Sequence, residues 1–263
     1  MLMSVSGPIS KLPGAHAMPL QLYQFAVSHF SEKVRWALDH KGLAYEPVYL
    51  LPGMHARTIR ELTGQKATSV PVLVDNGRPV QDSAAILDHL DATFPGRQLL
   101  PESPDEQASA LAWENRLDEQ AGPAVRTFAY HHLLQRPKVM APLMTAKTPF
   151  WNQYLLRLGF SRVDETMRRM MAINEKTAAR AQTVIEELLD EIAGIYEDGR
   201  FLAGGTFSRA DITAGALFAP LFMPPQYPVT WPRPQRLPPG LKDWLHQNEA
   251  RLAPVARCYR DNR

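Results

Sequence analysis

Apolar and polar positions alternate along Leu20-Gln21-Leu22-Tyr23-Gln24-Phe25, the period of a half-buried strand. The period then lengthens. Val34, Ala37 and Leu38 fall at helical spacing within 31–40. Ser28 or Ser31 could cap that helix, Glu32 suits its positive end, and Gly42 stands where helices stop. Residues 45–50 read as a second strand, parallel to the first if the helix is a crossover, with Pro47 favouring an edge. A short, weakly patterned helix follows over 55–63. Ser69 to Val80 then reads as strand, Asn76-Gly77 turn and strand. Asp82-Ser83 opens a helix carrying Ala84, Ile86, Leu87 and Leu90, which Pro95-Gly96 ends. The order β-α-β-α-β-β-α describes an α/β layer.

From Pro101 the strand signals vanish. Helical spacing covers 105–120, 123–135, 164–197, 209–222 and 240–250. Residues 95–104 make a linker, so the chain divides into an N-terminal extension (1–17), an α/β domain (18–97) and an all-helical domain (105–263). The extension holds one lysine, several Gly, Pro and Ser and no apolar run, and is expected to be disordered and not a secretory signal. Residues 224–239 contain seven prolines and read as an irregular strap. Tyr227 and Trp231 imply that it packs against something: a strap over the helical domain or a lid over a ligand cleft. Ser208 and Asp211 are spaced as a capping box, and Phe207 could staple onto Ile212; both are assigned to folding. Met170-Met171 read as core filler.

Composition narrows the function classes. The 263 residues are 45% hydrophobic and 21% charged, with 29 Lys plus Arg against 27 Asp plus Glu. A net charge of +2 points to neither nucleic acid nor a membrane surface as partner. No apolar run reaches the roughly 18 residues of a membrane span. Cys258 is the sole cysteine, so no internal disulfide and no metal-type Cys/His spacing exists. A reducing cytoplasm and no metal are the expectations.

Three motifs, in order, resemble the glutathione transferase family. Phe25-Ala26-Val27-Ser28-His29-Phe30-Ser31-Glu32-Lys33-Val34-Arg35-Trp36-Ala37-Leu38 is similar to the active-site loop and first helix of bacterial, omega-like members. Ser69-Val70-Pro71-Val72-Leu73 with Gln81-Asp82-Ser83-Ala84-Ala85-Ile86 resembles the glutathione-binding half-site. Phe207-Ser208-Arg209-Ala210-Asp211-Ile212 resembles the family's N-capping motif. The resemblance runs from Met18 to Val255. It implies a thioredoxin-like N-terminal domain followed by a helical bundle, a homodimer, glutathione as co-substrate and a hydrophobic small molecule as second ligand.

The resemblance also implies roles. Ser28 would donate its hydroxyl to the glutathione sulfur, with Ser31 in reserve. An ordinary thiol has a pKa near about 8.5, so a donor at a helix N-terminus raises the thiolate fraction. Ser28 and Ser31 stand where omega-like relatives have the two cysteines of Cys-Pro-X-Cys, which argues against thiol exchange through the protein. Taken locally, either serine is equally a plain helix cap. Tyr23 reads as core. Val70-Pro71 would be a cis bond presenting Val70's peptide groups to the cysteinyl part of glutathione. Without the family it reads as a trans proline opening an edge strand. Asp82 would take the γ-glutamyl ammonium and Ser83 its carboxylate, with Lys66 or Gln65 on the glycyl carboxylate. Both could equally be N-cap residues. Phe128, Tyr130, His131 and His132 are candidates to line the second-substrate pocket. His29 replaces the usual proline and Asp82 a longer acidic or amide residue. Those two departures leave open a second reading, a non-catalytic ligand carrier or protein-interaction module.

Overall fold

Residues 18–263 are described by the computed structural model; the 1–17 extension lies outside them. Strict alternation produces β1 (Leu20–Gln24), whose Leu20, Leu22 and Gln24 point inward. Then come α1 (His29–His40), β2 (Tyr45–Tyr49), α2 (His55–Thr63), β3 (Val72–Asp75), β4 (Arg78–Gln81) and α3 (Ser83–Thr93). The sheet order is β2-β1-β3-β4, with β2 parallel to β1 and the other pairings antiparallel. Pro47 lies in the edge strand β2, where its missing N–H costs no central ladder bond. This is a thioredoxin-like mixed sheet. Tyr23 sits half-buried on the opposite face from Leu22, so it is not the core residue its sequence position suggested.

The second half is helical: α4 (Pro104–Arg116), a π-turn (Leu117–Ala121), α5 (Gly122–Leu133), α6 (Pro137–Met144), α7 (Asn152–Leu158), α8 (Phe160–Met170), α9 (Glu175–Glu197), α10 (Arg209–Phe222), α11 (Pro239–Gln247) and α12 (Glu249–Asn262). The helix expected over 164–197 is two helices. Ala172 takes a positive φ of 52°, and Asn174 starts α9 with a reciprocal box, each of Asn174 and Thr177 bonding the other's backbone N–H at 3.0 Å. That break leaves Met170 79% exposed and not in the core. Helices α6 and α7 escaped the sequence pattern because α6 carries Pro142 inside it and α7 turns Tyr154, Leu155 and Leu158 to solvent. Neither shows a conventional buried stripe.

Helix α10 joins the halves. It is buried on nearly all sides from Arg209 to Ala219, contributing Ala214, Leu217, Phe218 and Leu221 to the helical core and Ile212, Ala216 and Ala219 to the core beneath the sheet. Gly215 faces Trp36 so closely that an added Cβ would stand 2.5 Å from the Trp36 Cζ3. The proline-rich segment packs on both halves: Tyr227 and Val229 join the core beneath the sheet, Leu237 joins the helical core, and the Tyr227 hydroxyl donates to the Val27 carbonyl at 3.1 Å. Trp231 donates to the Pro224 carbonyl at 2.9 Å, closing the segment on itself.

Charges are buried across the same junction. The Lys33 ammonium of α1 lies 2.7 Å from Glu114 of α4 and 2.6 Å from Asp118 of the π-turn. Arg209 of α10 donates to Glu114 at 3.1 Å, to Asp88 of α3 at 2.5 Å and to the Ala84 carbonyl at 3.2 Å. Glu114 thus sits between two cations that are both removed from water. Removing one partner of such an arrangement leaves uncompensated buried charge, generally costing about 3–5 kcal/mol. Glu114→Ala is expected to destabilise the fold by about that amount, seen as a lowered urea midpoint; an unchanged midpoint would show that water screens the cluster.

Candidate functional site

The ladder registers bring the sequence-predicted residues to one end of the sheet. Tyr23 pairs with Val72 and Val72 with Gln81. The carboxyl end of β1, the amino end of β3 and the carboxyl end of β4 therefore lie side by side. Ser28 follows the first, Val70-Pro71 precedes the second, and Asp82-Ser83 follows the third.

The loop after β1 is held through its carbonyls. Phe25 accepts from the Ser28 N–H (3.2 Å), Ala26 and Ser28 from Arg35 (3.4 Å each), and Val27 from Tyr227 (3.1 Å). Arg35 is itself fixed by Gln24 (2.5 Å) and by buried Glu32 (2.6 Å). Tyr259 (2.5 Å) and Arg263 (2.8 Å) bond the other Glu32 oxygen. These cations and hydroxyls hold the Glu32 carboxyl below its ordinary range despite its burial. Sequence reasoning gave Glu32 only a helix-end role and missed Arg35; neither residue carries a local signal of the loop it braces.

Ser28 is the N-cap of α1, half-buried, its Oγ accepting from the Ser31 N–H at 3.2 Å. A hydroxyl that accepts one bond still has its proton to donate. Ser31 is fully buried within the helix turn, its own Oγ without a partner among the described residues. Val70-Pro71 is cis, and the β-ladder starts only at Val72. Gln81 donates to the Ser69 carbonyl at 2.8 Å, bracing this turn, another contribution the sequence reading missed. Asp82 caps α3, its Oδ1 accepting from Ala84 (2.9 Å) and Ala85 (3.2 Å). It does so at a φ of 89°, a conformation costly for a residue with a Cβ. Ser83 is buried in the first turn of α3. Lys66 and Gln65 are exposed in the loop after α2.

The helical domain meets this end through α5. Gly122 accepts the Phe30 ring where a Cβ would stand 2.4 Å from its Cζ. Of the expected pocket residues, Phe128 is buried in the helical core against Trp244, and His132 packs on Phe128. Tyr130 is half-buried on the stripe that continues from Gly122. Ser208 and Asp211 form a reciprocal box at α10, the Ser208 N–H donating to Asp211 at 2.9 Å, while Asp211 also accepts from Leu202 (3.0 Å) and Tyr196 (3.1 Å). Phe207 packs on Trp36, His40 and Phe201. A cavity of about 310 Å³ opens elsewhere, between α6, Phe150 and the segment at Pro228 and Thr230. Among the described residues, no three His, Cys, Asp or Glu side chains converge as a metal would require. No described helix is long and apolar enough to cross a membrane.

Residues 22–98 match the family described as glutathione S-transferase, N-terminal domain, and residues 175–247 the one described as glutathione S-transferase, C-terminal domain. A "Probable glutathione S-transferase" of Nicotiana tabacum is 36% identical over 110 residues, 41% of this chain and 48% of that protein. Glutathione S-transferase U7 of Arabidopsis thaliana is 33% identical over 93 residues, 35% of this chain and 40% of that protein. The chain thus spans about half the length, or less, of these curated relatives. Among solved structures, a glutathione S-transferase from Methylobacterium radiotolerans in complex with glutathione sulfonate is 26% identical, covering 92% of this chain and 93% of that one at a TM-score of 0.55. A beta-etherase from Sphingobium sp. strain SYK-6 shares the fold at 20% identity and a TM-score of 0.60, covering 93% of this chain and 100% of that one.

His29, next to Ser28, is buried, and burial with the nearby Arg126 cation lowers its pKa from 6.5 to about 3. The unfolded chain takes up this proton near pH 6.5, the folded chain only near 3. Between those values the unfolded state binds more protons, so stability falls as the pH drops through the window. His40, lowered to about 4, acts in the same direction. His29→Gln removes one such proton, and the fall in urea midpoint between pH 7 and pH 4.5 is expected to become shallower; an unchanged slope would show that His29 is hydrated in solution.

Proposed function

The chain belongs to the glutathione S-transferase family, its two domain matches together covering more than half of the sequence, and from that premise we propose that it activates glutathione for attack on an electrophilic second substrate. The observation that carries this reading is the gathering of Ser28, Val70-Pro71 and Asp82-Ser83 at one sheet end, beside the amino terminus of α1. Glutathione would lie along that end. Val70 would pair with its cysteinyl peptide, as an added strand does. The Ser83 N–H and hydroxyl, at the positive end of α3, would meet its γ-glutamyl carboxylate. Asp82 spends Oδ1 on its own helix, leaving Oδ2 for the ammonium. Lys66 would reach the glycyl carboxylate.

The sulfur would then sit over Ser28. A thiolate there gains the Ser28 O–H bond and the positive end of α1, both of which the protonated thiol exploits less. The reactive fraction rises without any change in the protein's own charge. Conjugation, isomerisation and reduction all start from this thiolate, with sulfur supplied by the tripeptide and no protein thiol required. The finer placement, a serine-type, bacterial and omega-like member, is supported by Ser28 and Ser31 at the positions of the two cysteines in that group's loop; the two curated relatives described above are plant proteins. A homodimer and a cytoplasmic location belong to the same proposal.

The commitment of Asp82 Oδ1 to its cap also favours a second reading, a ligand carrier or interaction module of the same fold. Calorimetry separates the two: no heat with glutathione at millimolar concentration favours the module. For the enzyme, Ser28→Ala is expected to lower kcat/KM with glutathione and 1-chloro-2,4-dinitrobenzene by about a hundred- to a thousandfold, the range for removing one donor to a reacting anion. It should also raise the midpoint of the pH–rate profile towards about 8.5, the ordinary thiol value. Ser31→Ala, which removes a buried hydroxyl without a partner, should stay within about twofold. Equal rates for wild type and Ser28→Ala would take Ser28 out of the mechanism.

A further inference from the structure

We propose that the second substrate carries a carboxylate, which Arg126 and His29 hold where α5 passes over the amino terminus of α1. The inference rests on the transferase reading for the word substrate, but the anion site itself does not depend on it.

Gly122, Arg126 and Tyr130 recur every fourth residue of α5 and so share one face. The position of that face is fixed at its first turn, where Gly122 takes the Phe30 ring against its backbone. Asp118, one turn earlier, bonds Lys33. The face therefore runs along the start of α1, from Lys33 past Phe30 to His29. Burial dominates the proton affinities of His29 and Tyr130, and the Arg126 cation lies close enough to act on both.

These two side chains are short of partners. The Nε2 of His29 is buried and bonds nothing among the described residues, and its residue is 7% exposed. The Nε of Arg126 is likewise buried and unbonded. Among the described residues no carboxylate pairs with Arg126, whereas buried Arg35 has Glu32 and buried Arg209 has Glu114. Buried donors are nearly always satisfied, so a pair left open at a helix amino terminus points to an absent acceptor. A guanidinium and a neutral imidazole in its Nε2–H tautomer together suit a carboxylate, which accepts two or more bonds with charge assistance. The expected hydrophobic second ligand is thereby refined to an apolar body bearing one anionic group.

An unreactive pair of probes tests this on the full chain saturated with glutathione: 3,5-dinitrobenzoate and neutral 1,3-dinitrobenzene, titrated by calorimetry. The wild type is expected to bind the benzoate at least about tenfold more tightly, and added salt should weaken only the benzoate. Arg126→Gln should abolish that preference while leaving the affinity for 1,3-dinitrobenzene and the urea midpoint unchanged. Arg126→Lys, which keeps the charge but not the fork, should retain part of it. Equal binding of the two probes by the wild type, or a preference that survives in Arg126→Gln, would overturn the proposal. A separate titration with glutathione alone reports on the transferase reading: its failure alongside a retained benzoate preference would sink that reading and leave the anion site standing.

Discussion

The carboxylate of Glu114 sits between the Lys33 ammonium and the Arg209 guanidinium, all three withdrawn from water. It ties the two domains together beside the apolar packing of α10. Two cations that would repel each other in a low-dielectric junction become attractive only with this anion in place. Because Lys33 belongs to α1, Glu114 to α4 and Arg209 to α10, one charge sets the mutual register of three helices from two domains. The π-turn after α4 then brings Asp118 to the same lysine, and burial beside Glu114 raises the Asp118 pKa even against the pull of Lys33.

A second buried network holds the loop that carries Ser28. Glu32 gathers Arg35, Tyr259 and Arg263, and Arg35 in turn holds the carbonyls of Ala26 and Ser28. The Ser28 backbone is thus held from behind, while its hydroxyl oxygen accepts from the Ser31 N–H. The proline-rich segment adds the last restraint through Tyr227, whose ring lies under the Arg35 guanidinium at 5.1 Å and whose hydroxyl bonds Val27. In the proposed reaction, preorganisation of this kind would let a single hydroxyl bias a proton equilibrium without the loop rearranging.

What could be read from the sequence divides along physical lines. Period-two alternation in β1, the Asn76-Gly77 turn and the β/α order are local signals, and they located the sheet and its helices. The Ser208–Asp211 spacing is local too. Helices α6 and α7 were invisible because their apolar residues do not line one buried face, and the 164–197 helix was overextended because Ala172 and Asn174 break it by backbone conformation and capping. Arg35, Gln81 and Arg126 carry no signal in the chain at all. Each acquires its meaning from a residue on another element: Arg35 from the carbonyl of Ala26, Gln81 from that of Ser69, and Arg126 from the imidazole of His29. Long-range polar contacts have no period, so spacing cannot reveal them.

The near-collision of Gly215 with the Trp36 ring has a consequence for how the lineage of this chain can change. The two positions share one volume, so neither is free to vary alone. Any side chain gained at 215 must be matched by bulk lost at 36, and the indole N–H that bonds the Asn262 carbonyl at 3.0 Å would go with it. Substitution at this seam is thus a paired event that also reaches α12. A mutational library treating the three sites as independent would record only losses where compensated combinations exist.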